Sequence, residues 1–264
     1  MHRKAVSLLV HGTLMIISDP WFYITAIPAV FIYGIGKGGL GGALGIIAVP
    51  LMAMIISPMQ AATILLPILC VMDVFAVKQH YSNADYGVLK RMMPGSLLGI
   101  VLAGMFLSVT PESGLKLLIG GLSLLFCLQY VVVGTDKQQK GGVLSAWFWS
   151  MMGGFSSTAI HAGGGPASIY MLPLKLDKVV LVATMAVLFG IINLFKLIPY
   201  TLLGEFNHTN LMTSLVLMPL APVGVKIGIW LLHKTSQSLI YRLCYLFLFI
   251  SGFKLFWDGV KTLL

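Results

Sequence analysis

Charge is what this sequence has least of. Only 9% of its 264 residues are Asp, Glu, Lys or Arg, while 58% are hydrophobic. Soluble domains carry about 25% charged residues, so little room is left for a soluble domain and the chain reads as an integral membrane protein. Carboxylates are scarcer still, with 8 Asp and Glu against 17 Lys and Arg. Asp73, Glu112, Asp136 and Glu205 fall in different spans and loops, so no carboxylate pair suited to hydrolysis is visible. The sequence contains no HExxH and no CxxC, and Gly36-Lys37-Gly38-Gly39 lacks the spacing and flanks of a phosphate loop. Its 3 cysteines, Cys70, Cys127 and Cys244, lie inside apolar runs without metal-site spacing. They read as small core or lipid-facing residues. These absences argue against a soluble enzyme and leave no metal or cofactor expected. The net charge of +9 is spread over short loops, not gathered on a basic face, so nucleic acid is not expected as a partner.

Glycine is plentiful, with 29 residues, and unevenly placed. Six of them, Gly36, Gly38, Gly39, Gly41, Gly42 and Gly45, fall within ten residues between two apolar runs, with Lys37 among them. Each glycine in a helix interior costs about 1 kcal/mol relative to alanine, so a break in the helix is predicted here. The device recurs where His161 precedes Gly163, Gly164 and Gly165, with Pro173 beyond. Laid without gaps, Gly41 and Gly42 fall on Gly164 and Gly165, and Pro50 falls on Pro173.

A transmembrane helix needs about 20 apolar residues. The first half offers segments at 21–34, 42–56, 60–77, 93–109 and 115–133, and the second at 144–160, 167–174, 179–198, 211–232 and 243–260. The polar stretch 134–142, with Asp136, Lys137 and Lys140, separates a repeat 1–134 from a repeat 135–264. Residues 1–19 form an N-terminal extension with a basic start, a short apolar run and no small-residue cleavage site. An odd number of segments per half inverts one half relative to the other. The expected fold class is therefore an all-α integral membrane protein of two inverted repeats, with broken, re-entrant glycine-rich helices at the midplane.

Loop charge tests that topology. The loops at 78–91, 134–142, 175–178 and 233–242 should share one side, and they hold nine basic residues, from Lys78, Lys90 and Arg91 to Lys234 and Arg242. The loops at 57–59, 110–116 and 200–210 should lie opposite, and they hold only Lys116. By the positive-inside rule the first set is cytoplasmic. Arg3 and Lys4 fit poorly, and whether residues 1–19 add a crossing stays open.

Unwound backbone at membrane depth is tolerated only inside protein or along a water-filled cavity. Two such stretches in corresponding positions point to a transport site. A helix start beyond each break presents unpaired N–H groups with a partial positive charge, and glycines let a ligand approach them. A small anion suits such a cage. The substrate-binding candidates are Gly36, Lys37, Gly38, Gly39, Gly41 and Gly42 at the first break, and His161, Gly163, Gly164 and Gly165 at the second. The competing reading is that the glycines only allow close helix crossing. Three roles stand open for His161: binding an anion as imidazolium, carrying a proton, or bonding locally. Asp73 is placed to pair with a lysine or move a proton. Asn193 and Lys196, near its counterpart in the other half, share a helix face. These three are candidates for coupling or charge relay, and Pro50 and Pro173 for hinges. Gly95, Gly99 and Ala103, four apart, read as plain helix packing.

The run Gly34-Ile35-Gly36-Lys37-Gly38-Gly39-Leu40-Gly41-Gly42 followed by Val49-Pro50-Leu51, echoed by Gly163-Gly164-Gly165 and Leu172-Pro173-Leu174, resembles the TauE/SafE sulfite exporter family. The element Pro94 to Gly99 is similar to that family's later helix in each half. The resemblance implies a secondary transporter in the bacterial cytoplasmic membrane. It implies a small anion as substrate: sulfite, a sulfonate such as sulfoacetate, or a related organosulfur or carboxylate anion. Two departures stand out: Lys37 where many members have glycine, and His161-Ala162 in place of Gly-Ile. Besides the anion and the bilayer, a coupling proton and a homodimeric partner stay open. The rival readings are an anion channel and a non-transporting accessory or assembly protein.

Overall fold

The computed structural model describes residues 16–39, 43–132, 142–232 and 237–263. Most of the N-terminal extension, Gly41, Gly42, Asp136, Lys137, Lys140 and Lys234 lie outside the described residues. Among the described residues all regular structure is helical. The order in the first half is α1 (Pro20–Gly39), a 3-10 turn (Ala43–Ile47), α2 (Ala48–Met52), α3 (Pro58–His80), α4 (Tyr86–Val109) and α5 (Glu112–Val132). In the second it is α6 (Val143–Ile160), α7 (Gly164–Met171), α8 (Lys178–Leu202), α9 (His208–Leu217), α10 (Leu220–Leu232) and α11 (Gln237–Leu263). Helix starts are marked by side chains that accept backbone N–H groups left unpaired in a first turn. Ser57 accepts from Gln60 before α3, Asp85 from Gly87 and Val88 before α4, Asp177 from Val179 before α8, and Asn207 from Asn210 before α9.

The burial pattern is inside-out for a water-soluble bundle. On α8 the buried face carries Asn193, Lys196 and Tyr200, while Leu194, Phe195, Ile198 and Leu202 are exposed, Leu202 by 82%. On α3 the buried Asp73 neighbours the exposed Val74 and Phe75. A soluble helix turns its apolar stripe inward. Here the outward apolar side chains suit hydrocarbon, and the polar ones are kept from it. α3 with its terminal turn, α4 and α8 are each long and apolar enough to cross a membrane, and α9 with α10, bent by 44°, makes a fourth crossing if taken as one. On that measure the described residues fall short of the ten segments expected from the sequence.

The main helix pairings cross between the halves: α1 packs on α10, α4 on α6, α5 on α11 and α3 on α8. Lipid supplies no hydrophobic drive for helices to associate, so close van der Waals contact of small residues does that work. Gly34 and Gly38 of α1 meet Gly224 and Gly228 of α10, and a Cβ on Gly38 would lie 2.1 Å from the Val225 carbonyl. A Cβ on Gly95 or Gly99 of α4 would lie 2.2 or 2.1 Å from the carbonyls of Trp147 or Met151 on α6. Gly120 of α5 lies likewise against the backbone of Gly252 and Phe256 on α11.

Three local expectations are corrected. α1 does not stop at the first glycines; it runs through Gly36, Lys37 and Gly38 to Gly39. Close packing on α10 at Gly34 and Gly38 outweighs the poor helix propensity there. The loop expected at 78–91 is mostly helix, because α3 reaches His80 and Asp85 starts α4 at Tyr86. The span expected at 211–232 is two helices, separated at Met218 and Pro219, where proline has no N–H to give.

Candidate functional site

α1, α3, α6 and α8 bring the charged residues together in the interior. Lys37, in the last turn of α1, forms an ion pair with Asp73 of α3, and both are buried. A cation suits a helix C-terminus, where carbonyls are unpaired. The other carboxylate oxygen of Asp73 accepts from Asn193 Nδ2 at 2.6 Å. Asn193 stands on α8 one turn before Lys196, so the same helix face carries both. At this end of α1 the Gly38 carbonyl accepts from Nε2 of the buried His80 across 3.2 Å. The described part of the first break therefore presents a helix C-terminus, and Gly36, Gly38 and Gly39 lie in that last helical stretch, not at a helix start.

The second break is built on His161. α6 ends at Ile160, and His161 takes the left-handed conformation at φ 56. That conformation disfavours a side chain by roughly 1–2 kcal/mol. Surrounding bonds hold it there. The His161 N–H donates to the Ser157 carbonyl at 2.9 Å, and the Ala162 N–H donates to the Ser156 carbonyl at 3.2 Å. The Tyr33 hydroxyl of α1 donates to the His161 carbonyl at 2.9 Å. Gly45 gives Tyr33 its room, since a Cβ there would lie 2.5 Å from the tyrosine ring. His161 Nε2 stands 2.8 Å from the Ala62 carbonyl of α3. A carbonyl only accepts, so Nε2–H donates there; Nδ1 faces both the Ser157 carbonyl at 3.1 Å and Lys196 Nζ at 2.7 Å, and in the neutral ring it accepts from the lysine.

Lys196 fills that acceptor. Its Nζ donates to His161 Nδ1 at 2.7 Å, to the Ser157 carbonyl at 2.9 Å and to Ser157 Oγ at 3.1 Å. Lys196 is fully buried. Among the described residues no carboxylate lies within ion-pair distance of it. The Tyr200 ring lies parallel to His161 with centroids 6.2 Å apart, and its hydroxyl donates to the Thr158 carbonyl at 2.7 Å. Among the described residues the cluster thus holds two lysines and one carboxylate, which leaves Lys196 without a carboxylate partner.

Of the residues singled out from the sequence, Lys37, Asp73, Asn193, Lys196 and His161 meet in this cluster. Gly163 and Gly164 follow His161 into α7, and Gly165 lies in its first turn. Gly163 is sterically enclosed: a Cβ would lie 2.6 Å from the Gly153 carbonyl and 2.8 Å from Ser157 Cβ. Pro50 lies in α2 and Pro173 in the 3-10 turn Leu172–Leu174. Sequence reasoning passed over Ser157, Tyr33, Tyr200 and His80. Spacing could have found two of them, because Tyr33 stands four residues before Lys37 and Tyr200 four after Lys196. Among the described residues, no three His, Cys, Asp or Glu side chains gather as metal ligands.

The family model described as sulfite exporter TauE/SafE matches residues 26–255. No curated protein and no solved structure matches the chain. The match takes in every residue of the buried cluster and all but the ends of the helical array, so this chain belongs to the TauE/SafE sulfite exporter family of membrane transporters.

Proposed function

We propose that this chain is a secondary transporter that moves a small anion across the cytoplasmic membrane by alternating access. Sulfite, a sulfonate such as sulfoacetate, or a related organosulfur or carboxylate anion is the substrate. The observation that carries this reading is the buried cluster. Two lysines, an aspartate and a histidine meet between four helices, while the outer faces of those helices are apolar. Ionisable groups at membrane depth are costly and mark transport pathways. The excess of one lysine over the carboxylate favours an anion.

Residues 1–134 and 135–264 act as inverted repeats in this reading. The exchange of partners supports it: α1 of the first half packs on α10 of the second, and α6 of the second packs on α4 of the first. Such an exchange is what a two-fold relation between halves produces. One half rocks against the other around the cluster, with Pro50 and Pro173 at the short segments that follow each break.

The test is flux of sulfite, sulfoacetate and thiosulfate into proteoliposomes of the wild type, under a set membrane potential. Saturable flux of one or more of them is expected. Flux that does not saturate would replace the carrier by a channel. Flux no higher than in empty liposomes for all three would sink anion transport and favour an accessory protein.

A further inference from the structure

Among the described residues Lys37 has Asp73, but Lys196 has only a histidine ring and a serine. Lys196 is also the more completely enclosed of the two, at 0% exposure. A buried charge without a counter-charge is stabilised by any anion that reaches it. All three of its donors are occupied, so an incoming anion must displace one acceptor. The ring nitrogen is the acceptor that a single proton removes. Nδ1 accepts from Lys196 only while it is unprotonated. The Ser157 carbonyl also stands 3.1 Å from Nδ1, within hydrogen-bond reach; two acceptors do not bond, but the carbonyl is in place for an Nδ1–H. A proton on Nδ1 is therefore donated to Ser157, the third Lys196 N–H is released, and two positive charges come to face one another.

We propose that Lys196 and His161 form the seat of the transported anion, and that the anion loads together with a proton on His161 Nδ1. This rests on the anion-transport reading above and gives it a site and a coupling ion. The proton comes from water on the side to which the site is open. An oxygen of the anion accepts from Lys196 Nζ, and the negative charge offsets the imidazolium beside it. No bond of the substrate is made or broken. The anion and proton leave together on the other side, and Lys196 returns to Nδ1.

The groups around His161 are consistent with this assignment. From α1 come Lys37, already paired, and the Tyr33 hydroxyl, which donates to the His161 carbonyl. From α3 come Asp73, occupied by Lys37 and Asn193, and Cys70, whose thiol faces the Asn193 carbonyl. From α8 come Lys196 and the Tyr200 ring. None of these puts a free carboxylate against the imidazole, so the anion itself is the partner for its charge.

Sulfite flux into proteoliposomes tests this, with the potential clamped and the pH gradient varied. Lys196→Gln is expected to lower saturable flux by about tenfold or more, as truncating one member of a buried charged contact does. His161→Gln is expected to lose the acceleration that a gradient acidic outside the liposomes gives inward flux of the wild type. Comparing variant and wild type at the same pH values cancels the titration of sulfite itself. Wild-type flux with Lys196→Gln unchanged, or with His161→Gln equally driven by the gradient, would overturn this seat while leaving anion transport standing. No wild-type flux of any of the three probes would overturn both. If Lys196→Gln does not fold, Lys196→Arg decides. It keeps the charge but shifts the donors, and a several-fold rise in half-saturation is expected, whereas an unchanged value overturns the assignment.

Discussion

Asp73→Asn isolates what the buried ion pair contributes. The substitution keeps the shape of the side chain and an oxygen for Asn193, but takes away the charge that faces Lys37. Two unit charges near 4 Å apart attract by about 4 kcal/mol at an effective dielectric of ~20. Removing one partner of a buried pair costs about 3–5 kcal/mol, because the other charge is left in the interior. For chains of this size, ~2–4 °C per kcal/mol turns that into a fall of roughly 6–20 °C in melting temperature. The assay is thermal unfolding of detergent-solubilised protein, followed by tryptophan fluorescence, for Asp73→Asn, Lys37→Met and the double variant. The double variant removes both charges, so it should lose less than the sum of the two single losses by about 2 kcal/mol or more. Additive losses, or an Asp73→Asn variant within about 0.5 kcal/mol of wild type, would refute the claim that this pair carries mutual neutralisation inside the bundle.

Gly38→Ala places a methyl 2.1 Å from the Val225 carbonyl, so overpacking should lower stability by about 1–3 kcal/mol. Gly121→Ala serves as its opposite on another helix, since among the described residues a Cβ there meets only the Phe256 ring, at 4.0 Å; it should raise stability by up to about 1 kcal/mol through helix propensity. The same unfolding assay reads both. Glu205, in the connection between α8 and α9, is partly buried, and burial raises the pKa of its carboxyl above the usual range. A raised carboxyl favours the folded state while protonated. That contribution is fully present below the ordinary Glu value of about 4.3 and is lost as pH rises through the raised value. Glu205→Gln should therefore be more stable than wild type near neutral pH, with the difference vanishing in acid; a difference that is the same at both pH values would contradict it.

Composition alone determined the solvent. A chain with 9% charged residues cannot cover a water-facing surface, and the exposed Leu194, Phe195, Ile198 and Leu202 on α8 are the result. The rare ionisable residues were legible for the same reason. In so apolar a sequence each one must be solvated by protein, and Lys37, Asp73, His161 and Lys196 do meet, with the amide of Asn193 among them. The two glycine-rich stretches were visible as repeats, and the second does interrupt a helix, with His161 at the break. Their meaning was not legible. A glycine reads the same whether it ends a helix or admits another backbone, and only the approach of α10 to α1 makes Gly34 and Gly38 packing residues. Pairing was equally hidden. Sequence spacing relates Asn193 to Lys196, but which lysine takes Asp73 depends on how α1 crosses α3. That choice was made by tertiary structure. It gives Lys37 its counter-charge and leaves Lys196 to His161 and Ser157, so the lysine without a carboxylate stands at the second break and not the first. Local patterns carry propensity and periodicity, whereas the balance of buried charge is a sum over groups far apart in the chain that only folding brings into contact.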